Sequence, residues 1–196
     1  MIVAITGGSG SGKTFLAGEL KALLGDAAVV ISMDVYYRDL GAMPKVRKDA
    51  FNWDHPDAFD HDGIVEDLRE LKSGTAIRKR VYDYNVHQPS FLEESIEPAP
   101  VVIFEGVLAL HYAEVLELAD RSIFVDTPED IMLIRRIQRD METRGRSLDS
   151  VLKQYLKTVR PMYHEYVLPQ KARAGRIVSG DAVVKPIARE IAVSLL

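Results

Sequence analysis

The 196-residue chain carries a formal net charge of −4, 47% hydrophobic residues and no cysteine. The missing cysteine excludes disulfides, thiolate metal sites and cysteine nucleophiles, and the mildly acidic balance speaks against nucleic acid as a partner, since that affinity comes chiefly from neutralising phosphates. No apolar stretch approaches the roughly 20 residues that span a bilayer, and no basic segment precedes the apolar Ile2-Val3-Ala4-Ile5, so the expectation is a soluble cytoplasmic protein with no membrane partner.

The length suits one α/β domain covering 1–196. In chain order, apolar β-branched runs bounded by turn residues predict strands at 2–6, 28–32, 101–105 and 122–126, with a weaker one at 176–179. Continuous apolar runs suit strands covered on both faces, as in a parallel sheet. Helical patterns lie between them. Residues 13–24 are apolar at 15, 16, 20, 23 and 24 and stop at Gly25. Ile64, Leu68 and Leu71 make a second stripe, ended by Ser73-Gly74. Pro128 opens a third helix through Ile131, Leu133, Ile134 and Ile137; residues 148–159 resume after Gly145, and 182–196 form a closing helix. This alternation predicts a parallel sheet of about five strands flanked by helices. Two segments break it. Residues 34–62 are rich in aspartate, aromatics, proline and histidine, and residues 75–99 read as a small inserted β-hairpin on the substrate side.

Gly7-Gly8-Ser9-Gly10-Ser11-Gly12-Lys13-Thr14 matches G-x-x-x-x-G-K-[ST], with a strand before it and an amphipathic helix after it. Such a loop turns backbone N–H groups towards phosphate oxygens at the positive end of a helix. Lys13 would reach the β- and γ-phosphates, and the Thr14 hydroxyl would ligate Mg²⁺. The strand at 101–105 ends in Glu105, in the manner of a Walker B acid, with Gly106 leaving room for a ligand. Asp34 runs off the end of the strand at 28–32, where an open α/β sheet opens its ligand crevice; it could take a proton from an attacking hydroxyl and sit near the metal, or it could cap a turn. Arg135, Arg136, Arg139, Arg144 and Arg146 fall in a lid region at 131–150, with Gly145 as a pivot. A lid of this kind would neutralise charge on a transferring phosphoryl group and exclude water; a solvated basic face or an RNA-binding patch is the competing reading. The five histidines lack zinc-helix spacing. Tyr36, Tyr37, Trp53, Tyr82 and Tyr84 are either core or the wall of a pocket that stacks a planar ring.

Several further strings complete a pattern: Ser32-Met33-Asp34-Val35-Tyr36-Tyr37, Asn52-Trp53-Asp54-His55-Pro56-Asp57-Ala58-Phe59-Asp60, Tyr82-Asp83-Tyr84 with His87, Glu105-Gly106-Val107-Leu108-Ala109, Arg135-Arg136 through Arg139-Asp140 to Arg144-Gly145-Arg146, then Gln154-Tyr155 and Arg160-Pro161-Met162. Nearly the whole chain resembles the uridine kinase (uridine–cytidine kinase) family of P-loop kinases. The resemblance implies an ATP- or GTP-dependent, Mg²⁺-requiring enzyme that phosphorylates the 5′-hydroxyl of uridine or cytidine, and a homotetramer. It implies Asp34 as catalytic base, and Thr14, Asp34 and Glu105 at the metal. It also implies Lys13, Arg139 and Arg144 at the phosphates, Asp54 with Arg136 at the ribose, and Tyr82 and His87 at the base. Tyr37, Trp53 and Tyr84 would form the surrounding wall, with Arg146 and Gln154 as further substrate contacts. Three stretches depart from the family pattern. His87 is followed by Gln88-Pro89-Ser90 where the family usually reads His-x-Arg. Lys79-Arg80-Val81 stands where a proline commonly precedes Tyr82-Asp83. The acid near the C-terminus aligns only loosely, at Asp181. Other P-loop kinases, acting on nicotinamide riboside, pantothenate or a sugar phosphate, are the alternative reading. A GTPase switch is disfavoured by the absence of N-K-x-D.

Overall fold

A computed structural model, describing residues 1–43, 51–83, 88–182 and 184–195, shows five parallel strands in the spatial order Ala28–Ser32, Val101–Glu105, Ile2–Thr6, Arg121–Asp126 and Arg176–Ser179. They are β1 (Ile2–Thr6), β2 (Ala28–Ser32), β5 (Val101–Glu105), β6 (Arg121–Asp126) and β7 (Arg176–Ser179). Every residue of β1 and β5 is buried. Side chains of one strand alternate between the two faces of a sheet, and the core divides accordingly. Val3, Ile5, Ile103 and Val125 pack against Leu16 and Leu20 of α1 (Lys13–Leu24) and Ile191 of α6 (Val184–Leu195). Ile2, Val102, Phe104 and Phe124 pack against Ile64 and Leu68 of α2 (His61–Ser73), with Val115 of the short α3 (Ala113–Leu118). The unbroken apolar runs therefore reflect two covered faces, as expected of them.

Local chemistry sets the helix ends. The Asp60 carboxylate accepts from Gly63 N–H at 3.2 Å to open α2, and Gly74 closes it at φ 87°. Helix α4 (Glu129–Arg144) follows Pro128 and stops at Gly145, φ 61°. Ser147 Oγ then accepts from Ser150 N–H to start α5 (Leu148–Gln154). The chain stays helical well beyond residue 159, through π-turns at Tyr155–Val159 and Tyr163–Val167 on either side of Arg160–Met162, and then a tighter turn at Leu168–Arg173. Pro161 lies between the two π-turns, where its missing N–H removes a regular helical bond.

The inserted segment folds as an antiparallel pair, β3 (Ile77–Asp83) with β4 (Gln88–Ile96), separate from the main sheet. Its register shifts between Arg78 and Arg80. Tyr84 and His87 lie outside the described residues.

Candidate active site

The carboxyl ends of β1, β5 and β2 lie side by side, with Ile5 level with Glu105 and Glu105 level with Ser32. The phosphate loop, Glu105 and Asp34 emerge from this edge, while Arg139 and Arg144 come from α4. Gly10 and Gly12 take φ of 87° and 99°, a region that side-chain-bearing residues rarely adopt. A Cβ on Gly10 would also meet the Met132 carbonyl oxygen at 2.4 Å, so α4 fixes the loop from outside. Gly12 caps α1 without any side-chain bond. The first-turn N–H groups of that helix have no acceptor within it, and Lys13 sits largely buried beside them.

Behind the loop, the Thr14 hydroxyl donates to Glu105 Oε2 at 3.2 Å and the Ser32 hydroxyl to Glu105 Oε1 at 2.9 Å. Glu105 is 4% exposed. Asp34 follows on the turn Met33–Tyr36, its N–H bonded to Ser32 Oγ at 3.3 Å. Strand β5 thus stands between the phosphate loop and the strand that delivers Asp34. The set offers hydroxyl and carboxylate oxygens only, a hard donor set that fits Mg²⁺, which is usually bound by one or two carboxylates together with substrate phosphates. No cluster of three or more histidine or acidic side chains able to hold a metal occurs among the described residues.

The opposite wall is aromatic. Tyr37 stacks on Phe59 at 4.5 Å and meets Trp53 edge-on at 5.5 Å and Tyr82 at 5.3 Å. Beside Trp53, the Asp54 carboxylate accepts from the Thr158 hydroxyl at 2.8 Å. Burial raises the Asp54 carboxyl above the ordinary aspartate value; the Thr158 bond and the Arg136 and Arg146 charges pull the other way, and Asp34 adds to the rise. Thr158 belongs to the first π-turn, so the irregular helix is what aims it at Asp54.

The arginines gather on one fully buried carboxylate. Asp140 is bridged by Arg139 at 2.8 Å, Arg146 at 3.3 Å, Arg144 at 3.5 Å and Arg136 at 3.7 Å. Burial would raise the Asp140 carboxyl, but the Arg139 hydrogen bond and the charges of Arg136, Arg139 and Arg144 hold it below the usual range. Arg136 also donates to Ser9 Oγ at 2.8 Å and to Gln154 Oε1 at 2.9 Å, and Arg139 reaches Ser9 at 3.3 Å. Helix α4 is thereby joined to the phosphate loop.

A cavity of about 620 Å³ unites these walls. Ser9, Lys13 and Thr14 of the phosphate loop line it together with Asp34, Tyr37, Trp53 and Asp54. Arg136, Arg139, Arg144, Arg146 and Gln154 close it from the α4–α5 side. Glu105 and Tyr82 are not among the lining residues, but Glu105 is bonded to Thr14 and Tyr82 packs on Tyr37. Asp140, Thr158 and Gln170 were not singled out from sequence. Gln170, 1% exposed, accepts from Leu110 N–H and from the Thr6 hydroxyl, and donates to the Val107 and Tyr166 carbonyls, each bond at 2.9 Å. It ties the strand beneath the phosphate loop to the final helical run. His55 bonds the Tyr166 hydroxyl, and His61 and His164 face Glu114 and Glu129; none of these residues lines the cavity.

The strand order, the phosphate loop and the arginine-bearing helix define a P-loop kinase. The chain matches the Phosphoribulokinase / Uridine kinase family over residues 2–185, and it belongs to that family. It is 46% identical over 179 residues to a protein named uridine kinase from Limosilactobacillus reuteri (strain DSM 20016), covering 91% of this chain and 82% of that one. It is 45% identical over 181 residues to a uridine kinase of Leuconostoc citreum (strain KM20), covering 91% and 86%. Among solved structures, phosphoribulokinase from Rhodobacter spheroides superposes with a TM-score of 0.65 at 22% identity, over 92% of this chain and 72% of that one; that likeness concerns the fold.

Proposed function

We propose that the chain transfers the γ-phosphoryl group of ATP or GTP to the 5′-hydroxyl of uridine or cytidine, giving UMP or CMP. The observation that carries this reading is the single cavity in which the phosphate loop, Asp34 and the Asp54–aromatic wall face one another. The 5′-oxygen forms its bond to the γ-phosphorus as the bond from that phosphorus to the β-phosphate oxygen breaks. Asp34 orients the hydroxyl and takes its proton. Lys13 and the N–H groups opening α1 hold the departing diphosphate, and Arg139 and Arg144 neutralise charge on the transferring group. Asp54, held by Thr158, accepts from the ribose hydroxyls beside Arg136, while Tyr37 and Trp53 flank the base, with Tyr82 behind. Arg146 and Gln154 complete the substrate contacts. Thr14, Glu105 and Asp34 would hold Mg²⁺, which supplies charge neutralisation across the β- and γ-phosphates when bound.

In this reading residues 1–196 work as one kinase domain, 75–99 as its acceptor-side insert and 131–150 as its lid, in a homotetramer that light scattering would check. The deciding experiment incubates purified protein with Mg-ATP or Mg-GTP and a mixed panel of nucleosides and other hydroxyl compounds, then identifies the product by mass. Uridine or cytidine monophosphate is the expected product. Phosphorylation of nicotinamide riboside, pantothenate or a sugar phosphate, with the pyrimidine nucleosides left untouched, would overturn the assignment.

A further inference from the structure

The β3–β4 hairpin pairs with no other strand among the described residues, and most of β4 is exposed. Two-stranded hairpins are marginal alone in water, so something must fix this one in place. Arg80 meets that need. Its side chain is 14% exposed, and it donates from Nε to Asp67 at 2.7 Å and from a terminal nitrogen to Asp60 at 3.2 Å. Asp67 lies on the buried stripe of α2, and Asp60 caps that helix. The guanidinium also lies over two rings, 4.9 Å from the centre of Tyr36 on the Asp34 turn and 5.0 Å from that of Phe91 on β4. The Tyr36 hydroxyl closes the circuit by donating to Asp67 at 2.8 Å. One cation therefore touches both hairpin strands, α2 and the turn that carries Asp34. The register shift falls directly before Arg80, and such irregularities re-aim side chains. Two residues further along the same face of β3, Tyr82 packs on Tyr37 and reaches the Arg38 carbonyl.

We propose that Arg80 is a positioning residue that clamps the hairpin onto the Asp34 turn and so sets the affinity for the phosphoryl acceptor. The kinetic half of this inference rests on the nucleoside kinase reading above; the clamp itself does not. The Tyr37–Tyr82 contact keeps the acceptor wall in register only while the hairpin is seated, whereas the phosphate loop lies on the main sheet and is indifferent to it. Loss of Arg80 should therefore raise the acceptor KM and leave the donor KM alone.

The test compares the full-length wild type, Arg80→Met, Arg80→Lys and the charge-balanced pair Arg80→Met with Asp67→Asn. The last removes the buried carboxylate that the first leaves without its cation, and it replaces Arg80→Met in the comparison if that variant does not fold. With Mg-ATP and uridine, Arg80→Met is expected to raise the uridine KM about tenfold or more with the ATP KM within twofold, and Arg80→Lys to recover part of the loss. Hydrogen exchange over residues 77–83 and 88–96, measured without substrate, should be markedly faster in Arg80→Met. An unchanged uridine KM in a folded variant, or unchanged hairpin exchange, overturns the proposal. Failure of the wild type to phosphorylate uridine would instead count against the functional reading, and the exchange data would still decide the clamp.

Discussion

Asp34 shares a cavity with the phosphate loop, and in the proposed reading it takes the proton of the attacking hydroxyl, so its carboxylate should matter to turnover and little to donor binding. Asp34→Asn is expected to lower kcat by about 10²–10⁴-fold, the usual worth of a general base, while calorimetry finds Mg-ATP bound as in the wild type. Thr158 is a subtler case. Its hydroxyl fixes one oxygen of Asp54 at 2.8 Å and helps keep that buried carboxylate ionised. Thr158→Val should raise the nucleoside KM about tenfold, in line with losing a hydrogen bond to a charged group. The pH profile should move with it. Asp54 already titrates above the ordinary 3.8, and removing a bond to its charged form raises it further, so the acid limb of kcat/KM shifts to higher pH in the variant. Thr158→Ser should restore both. Nothing in the sequence marks Thr158, because a threonine within a helical pattern reads as surface until the π-turn rotates it inward.

At the scale of an element, α4 is organised by Asp140. In sequence this acid reads as one charge among several in a solvated run; in the fold it is fully buried beneath four arginines. Its carboxyl is held below 3.8, so the unfolded chain binds more protons in that window than the folded one. The stability it contributes is complete above that value and is lost as pH falls through the lower, folded-state value. The wild-type thermal midpoint should accordingly fall more steeply below pH 3.8 than that of Asp140→Asn. At neutral pH the same variant should be less stable by about 3–5 kcal/mol, the cost of stranding a buried partner such as Arg136. Gln170 plays the neutral counterpart. Gln170→Leu takes the acceptor from the buried Leu110 N–H, while the Thr6 hydroxyl keeps the Val107 carbonyl; the cost of about 1–3 kcal/mol for the orphaned group is measurable by urea denaturation. Gln170's role depends on which distant groups lie opposite it; Asp140's arginines lie within six residues of it, and there it is the complete burial of the acid that the sequence does not show. Asp67 did leave a trace: a carboxylate on the stripe of Ile64, Leu68 and Leu71 demands a buried cation, and Arg80 supplies it.

Across the whole molecule, the sheet is the reference frame. Phe104 is fully buried at its centre, on the α2 face. Phe104→Ala should cost about 3–5 kcal/mol and lower the melting temperature on the order of 10 °C for a chain of this size, with KM values unchanged in the protein that remains folded. No helix among the described residues is long and apolar enough to cross a membrane.

The phosphate loop, the five strands and the alternation of helices followed from the sequence alone, because each is written in contiguous residues: a glycine spacing, an apolar run, a turn signal. The strand order that sets Glu105 between the phosphate loop and Asp34 came only with the tertiary structure. The same holds for the convergence of the arginines on Asp140, the aim of Thr158 and the clamp at Arg80. Thr158 finds Asp54 104 positions away, and local propensity carries no information about such a partner; around Asp140 the arginines are near in sequence, and what the fold alone decides is that the acid is fully buried.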